Sequence, residues 1–154
     1  VGLHISARKP PQRWDVDRFA DVARQLHASH SARLLVFWSP GSEHNPLHPG
    51  DDEKASRLKA LCDGVPLQLV PTAQLPELIA GWAACNALIC SDGGAMHLAA
   101  GLGKPIICLF GNSTASRWHP WKVPYELLQT ESRDVADIMA SDVIEAFRRL
   151  MARL

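Results

Sequence analysis

The sequence predicts a doubly wound α/β domain with a mostly parallel sheet. Three observations carry that reading. Short apolar runs alternate with amphipathic helical segments along almost the whole chain. Two of those runs, Ala87-Leu88-Ile89-Cys90 and Pro105-Ile106-Ile107-Cys108-Leu109-Phe110, read as buried strands. Between them, Gly93-Gly94 stands where a strand hands over to a helix, the turn that lies at the ligand-binding carboxyl edge of such a sheet.

The elements follow in order. Val1–Ile5 is the first strand, and a polar, proline-bearing loop runs through Arg13. A helix is predicted from Asp15 to His27, because Val16, Phe19, Ala20, Val22, Ala23 and Leu26 share one face and acidic residues crowd its first turn. Arg33–Trp38 is a strongly apolar strand. Ser39–Gly50, with three prolines and two glycines, must be a loop. Asp51–Cys62 is a charged helix with an acidic start that carries no further meaning in the sequence. Its narrow apolar face is Ala55, Leu58 and Leu61. Leu67–Val70 is a short strand and Leu75–Ala84 a helix that tolerates Pro76 in its first turn. After the Ala87 strand come a helix from Ala95 to Leu102, closed by Gly101-x-Gly103, and the Pro105 strand. Gly111–Pro124 carries too much punctuation for a regular element. Glu126–Gln129 is an edge strand, and Asp142–Arg153 is a closing helix with Asp142 and Glu145 as a capping-box variant.

Composition narrows the function classes. With 154 residues, 47% of them hydrophobic, the chain can bury a core as one domain. Its formal net charge of zero argues against a nucleic-acid footprint or an electrostatic membrane anchor. No apolar run reaches the roughly 20 residues of a membrane-spanning helix. The first residues lack the basic region and cleavage site of a signal peptide. Opening in strand-like sequence without a methionine, the chain is expected to be part of a longer protein. Cys62, Cys85, Cys90 and Cys108 show no CxxC spacing and are expected to be buried free thiols of a cytoplasmic protein.

The candidate site centres on Ser91-Asp92-Gly93-Gly94-Ala95-Met96-His97. Glycines let the backbone approach a ligand, and free N–H groups at a helix start attract phosphate. Asp92 has two readings, a helix N-cap or a ligand acceptor. His97, one helical turn on, is either a satisfied core histidine or a site group. The spacing is neither GxGxxG nor a Walker loop, and Lys104 reads as a solvated charge. The loop Ser6-Ala7-Arg8-Lys9-Pro10-Pro11-Gln12-Arg13-Trp14 leaves the first strand toward the same edge. Its cations can neutralise a diphosphate or simply be solvated, whereas Trp14 is expected between helix and sheet. Arg117-Trp118-His119-Pro120-Trp121 reads either as a sugar platform or docking patch, or, the favoured alternative, as staples folding an irregular loop onto the sheet.

Gln12-Arg13-Trp14 with Phe19, the Leu75–Ala84 helix, the Asp92-x-Gly94-x-x-His97-Leu98-Ala99 core, Gly103-Lys104-Pro105 and Phe110-Gly111 resemble the heptosyltransferases of glycosyltransferase family 9 in order and spacing. The resemblance covers almost the whole chain. It implies the C-terminal, Rossmann-like half of a GT-B enzyme that moves heptose from ADP-heptose to the lipopolysaccharide inner core, at the cytoplasmic face of the inner membrane of a Gram-negative bacterium. It implies a single donor-binding domain over residues 1–154, and an N-terminal domain, outside this chain, that carries the acceptor site and the catalytic base. The donor set is then Ser6, Lys9, Gln12, Arg13, Asp92, Gly93, Gly94, Ala95, Met96 and His97, with no catalytic residue, metal ligand or cofactor on this chain. The helix start and Arg13 or Lys9, rather than a metal, would meet the leaving diphosphate. Two positions depart from the family pattern. Gln12 stands where lysine is common, so that Lys9 or Arg8 becomes the candidate cation, and Gly93 stands where threonine is common. Two other readings stay open: a non-catalytic nucleotide-binding or interaction module using the Arg117–Trp121 loop, and a GT-B enzyme with a different nucleotide-sugar donor.

Overall fold

Strand alternation sorts the apolar residues onto two faces of one sheet. Leu3, Ile5, Val36, Ile89, Ile107 and Leu109 point to one side; Phe37, Leu88, Cys90, Ile106, Cys108 and Phe110 point to the other. Both sides are covered, which is why the central strands are apolar throughout. A computed structural model describes residues 1–154. Its strands are β1 (Gly2–His4), β2 (Leu34–Trp38), β3 (Leu67–Pro71), β4 (Leu88–Ser91), β5 (Ile106–Phe110) and β6 (Tyr125–Gln129). They pair in the order β3-β2-β1-β4-β5-β6, all parallel, and His4 lies in register with Phe37 on one side and Cys90 on the other. The order reverses between β1 and β4, so the topological switch point lies there.

The helices are α1 (Val16–His30), α2 (Asp52–Leu61), α3 (Leu75–Ala83), α4 (Gly94–Gly101), α5 (Ala115–Trp118) and α6 (Ala140–Met151). The buried faces of α1, α2 and α6 close one side of the sheet, through residues such as Phe19, Leu26, Leu58, Ile144 and Phe147. Leu78 and Trp82 of α3 and Met96 and Ala99 of α4 close the other. Trp14 is buried against this core as expected, and its Nε1 donates to the Ile138 carbonyl at 2.9 Å. No helix is long and apolar enough to cross a membrane.

Several local expectations change. Asp15 caps α1 through the Asp17 N–H at 2.7 Å, and the helix continues three residues beyond His27 to end at Ser31, which is left-handed at φ 50°. Asp142 is not a cap. It occupies the third position of α6 and its carboxylate accepts from the Met139 N–H at 3.1 Å, while Glu145 faces Arg149. The stretch 111–124 contains one helical turn, α5. The Ser39–Gly50 loop folds back on its own base: Asp51 N–H donates to Ser39 O at 3.0 Å and Gly41 N–H to Asp52 Oδ2 at 3.0 Å.

Lys104 is not a solvated charge. Its ammonium donates to the carbonyls of Ala83 and Cys85, each at 2.8 Å, and so binds the carboxyl end of α3, where backbone carbonyls lack partners. Lys104→Met is therefore expected to lower stability by about 1 kcal/mol in urea unfolding, and an unchanged midpoint would contradict the capping role. All four cysteines are free and buried, and burial pushes Cys90 up to about 12 and raises the other three thiols as well. They fill space as small apolar groups.

Candidate functional site

Strands β1, β2, β4 and β5 all deliver their carboxyl ends to one side of the switch point, and a polar cleft of about 570 Å³ opens there. That volume suits a small organic ligand. His4 and Ser6 come from the end of β1, Ser39 from β2, Ser91 through Ala95 from β4 and the start of α4, and Ser113 and Trp118 from beyond β5. The cleft thus unites the two segments that the sequence marks, although about 80 residues separate them in the chain.

Of the ten candidate residues, eight line this cleft: Ser6, Lys9, Gln12, Asp92, Gly93, Gly94, Ala95 and His97. Met96 is fully buried, in the core cluster that also holds Phe110 and Trp82. Arg13 also stays out of the cleft. Its guanidinium is ion-paired with the buried Asp51 and donates to the Ala7 carbonyl at 2.9 Å, which makes it a strut behind the loop.

Geometry excludes the purely structural reading of both residues at the β4–α4 turn. Asp92 does not cap α4; Gly93 occupies the N-cap position and makes no side-chain bond. Asp92, a residue only 7% exposed, instead accepts through its carboxylate from the Gln12 amide at 2.9 Å. His97 is not a core residue: it is exposed, with its ring edge-on to Trp118 at 6.0 Å between centroids. Gly93 has φ 155° and ψ −172°, a region essentially restricted to glycine. A threonine here would cost about 1–3 kcal/mol in that backbone.

Gln12 reaches Asp92 because a single 3₁₀ turn, Pro10–Gln12, tucks against the end of β5. Its amide also lies 3.4 Å from Ser113 Oγ. Gly111 permits that approach, since a Cβ there would stand 2.3 Å from the Pro11 carbonyl oxygen and 3.3 Å from Gln12 Cγ. Gly111→Ala is expected to push the Pro10–Gln12 turn away from β5 and to lower stability by about 1–3 kcal/mol. Loss of the Gln12 amide signal's protection from hydrogen exchange would report the movement; an unshifted amide would refute it.

The cations of the β1 loop divide by role. Arg8 and Lys9 line the cleft, are exposed and belong to none of the chain's ion pairs. Behind them lies a polar cluster that the sequence does not reveal. Asp51 accepts from Ser6 Oγ at 2.6 Å as well as from Arg13, and Ser6 Oγ in turn accepts from the Ser39 N–H at 3.0 Å. Lys54 donates to the carbonyls of Ile5 at 2.9 Å and Trp14 at 2.6 Å. Burial lowers Lys54 to about 8 despite the opposing pull of Asp51, and burial raises the Asp51 carboxyl against Ser6, Arg13 and Lys54. The acidic start of α2 is therefore the anchor of the β1 loop, not merely a helix signal.

His4, on the cleft floor, is the other residue missed. Burial drops its imidazole to about 4, so it is neutral near pH 7, and it meets the buried Trp82 edge-on at 5.7 Å. The staple reading of the tryptophan loop fails: Trp118 is 47% and Trp121 67% exposed, with Arg117 and Lys122 over their rings at 5.4 and 5.8 Å. No three His, Cys, Asp or Glu side chains are grouped to hold a metal ion.

A six-stranded parallel sheet in this order, with a glycine-bearing cleft at its switch point, defines a Rossmann-like ligand domain. The chain belongs to glycosyltransferase family 9 (heptosyltransferase), whose model matches residues 1–145. It is 29% identical over 105 residues to lipopolysaccharide heptosyltransferase 2 of Salmonella typhimurium, an alignment covering 68% of this chain and 28% of that protein. In fold it is similar to a family 9 glycosyl transferase from Veillonella parvula, with TM-score 0.83 and 24% identity, over 99% of this chain and 46% of that one. It is similar also to ADP-heptose LPS heptosyltransferase II of E. coli, with TM-score 0.81 and 22% identity, again over 99% and 46%. The fold is thus that of the GT-B heptosyltransferases, and the chain spans less than half the length of these relatives.

Proposed function

We propose that this chain is the donor-binding C-terminal domain of a glycosyltransferase that transfers heptose from ADP-heptose to the lipopolysaccharide inner core. The observation that carries the reading is the meeting, in one cleft of a family 9 chain, of the α4 N-terminus with two unpaired cations, Arg8 and Lys9. N–H groups and a helix dipole there favour a diphosphate, and they stabilise it more as it departs with added negative charge. Arg8 and Lys9 take the role of the diphosphate cation, because Arg13 is committed to Asp51. Asp92, oriented by Gln12, and His97 meet the polar groups next to the diphosphate.

Transfer then breaks the bond between the sugar's anomeric carbon and the diphosphate oxygen. An acceptor hydroxyl forms the new bond, and its proton passes to a carboxylate on a second, N-terminal domain of the same protein. ADP leaves with the electron pair. The working place is the cytoplasmic face of the inner membrane, where acceptor and nucleotide-sugar meet. This chain by itself binds the donor without turning it over, and sugar transfer by it alone would overturn the two-domain reading.

Isothermal titration with ADP, UDP, GDP and ADP-heptose tests the site. ADP and ADP-heptose are expected to bind in preference to UDP and GDP, and His97→Ala to weaken them about tenfold, the scale of one lost hydrogen bond to a charged ligand. No binding by any of the four, or equal binding by the variant, would overturn the proposed site.

A further inference from the structure

The cleft has two unlike flanks. On the β1 side stand the cations Arg8 and Lys9. Away from those two cations the lining groups include Asp92, Gln12, Ser113 and Trp118, with no lysine or arginine among them. Trp118 is the one large apolar side chain lining the cleft. It is 47% exposed, whereas Trp14 and Trp82 are buried at 1% and 0%. Exposure of that much indole at the mouth of a polar cleft needs a reason. The ring is also held: His97 meets it at 6.0 Å and 62°, and the Arg117 guanidinium sits 5.4 Å from its centroid.

We infer that Trp118 is the wall against which the sugar of the bound nucleotide-sugar lies. The inference rests on the donor-site reading above. A pyranose presents an apolar face of C–H groups and a rim of hydroxyls. The first packs on an aromatic face, and the second needs a carboxylate, an amide and a hydroxyl around its edge. The cleft supplies all of these through the chain Asp92–Gln12–Ser113, in which the Gln12 amide bonds Asp92 at 2.9 Å and lies 3.4 Å from Ser113. The diphosphate is drawn instead to the cationic flank and the start of α4, leaving the uncharged ring on the side of Trp118.

The test compares ADP, ADP-heptose and ADP-glucose by isothermal titration of the chain and its Trp118→Ala and Trp118→Phe variants. The wild type is expected to bind at least one of the two nucleotide-sugars more tightly than ADP. Trp118→Ala should leave ADP binding unchanged and remove about tenfold of the nucleotide-sugar affinity, as loss of one aromatic contact does. Trp118→Phe should restore most of it. An unchanged thermal midpoint is expected, because the side chain is half-exposed. A sugar increment that survives in Trp118→Ala, or is absent from the wild type, overturns the inference while ADP binding leaves the donor site standing. Equal loss for ADP and nucleotide-sugars makes Trp118 a wall for the base or phosphate and also overturns it. If the wild type binds none of the three, the donor-site reading fails and this inference with it.

Discussion

Asp51→Ala is expected to lower folding stability by about 3 kcal/mol, the effect of removing one partner from a buried ion pair. The Asp51 side chain is fully buried and holds three things at once: the Arg13 guanidinium, the Ser6 hydroxyl and, through Ser6, the Ser39 N–H. Removing it takes the paired carboxylate from Arg13, leaves Lys54 only the weaker pull of Asp15 and Glu43, and leaves Ser6 without an acceptor for its proton. Lys54, already lowered to about 8 by burial, loses the largest of the charges that oppose that shift and moves lower still. Asp51→Asn keeps an acceptor for Ser6 but not the charge, so it should cost about half as much. Urea unfolding at pH 7 reads both variants. The β1 loop carries Arg8 and Lys9, so the alanine variant should also bind ADP more weakly. An alanine variant within about 1 kcal/mol of the wild type would remove Asp51 from the role of anchor.

The same residue shows where reading the sequence stops. Acidic residues at 51–53 signal a helix start correctly, and α2 begins at Asp52. Nothing local says that this start lies under the end of β1, because the Ser6–Asp51 contact spans 45 positions. Periodicity, by contrast, is local. It exposes the buried face of α1 at Val16, Phe19, Ala20, Val22, Ala23 and Leu26 and the apolar strands β4 and β5, all of which the structure shows buried. The glycine turn is legible for the same reason, since a strand, two glycines and a helix are consecutive.

Side-chain direction is harder to read. Arg13 and Lys9 are equivalent as cations in a loop, and only the position of Asp51 turns one inward and leaves the other at the cleft. Gln12 looks like an ordinary loop amide until Gly111, 99 positions later, lets the Pro10–Gln12 turn approach the end of β5. Trp118 and Trp121 suggest staples because tryptophan usually finds cover. They are left outside because the one-turn α5 packs on the core through Ala115 at its start, which leaves Trp118 at its end to line the cleft and Trp121 beyond it exposed.

Below neutral pH the chain is expected to lose stability through His4. Its imidazole is lowered to about 4 in the folded chain by burial, with Lys54 adding to the shift and the Ser6 backbone opposing it; the ordinary value is 6.5. The unfolded chain therefore takes up a proton at His4 that the folded chain refuses. Above pH 6.5 neither state is protonated there and the contribution to stability is complete. Between pH 6.5 and about 4 the unfolded state gains protons first and stability falls; below about 4 both states are protonated and the loss is complete. A depression of that size corresponds to about 3 kcal/mol. Asp51 works in the opposite direction, since burial raises its carboxyl and the folded state accepts that proton more readily as pH falls. Wild type alone would thus show the sum of the two. The His4 contribution is isolated by the difference from His4→Gln, which keeps a neutral polar group on the cleft floor. In urea unfolding from pH 7.5 to 3.5 the wild type should lose about 3 kcal/mol more than the variant, with most of that change between pH 6.5 and 4. Parallel curves would mean that His4 titrates alike in both states. The cleft floor would then be open enough to water to carry a charge at mildly acidic pH.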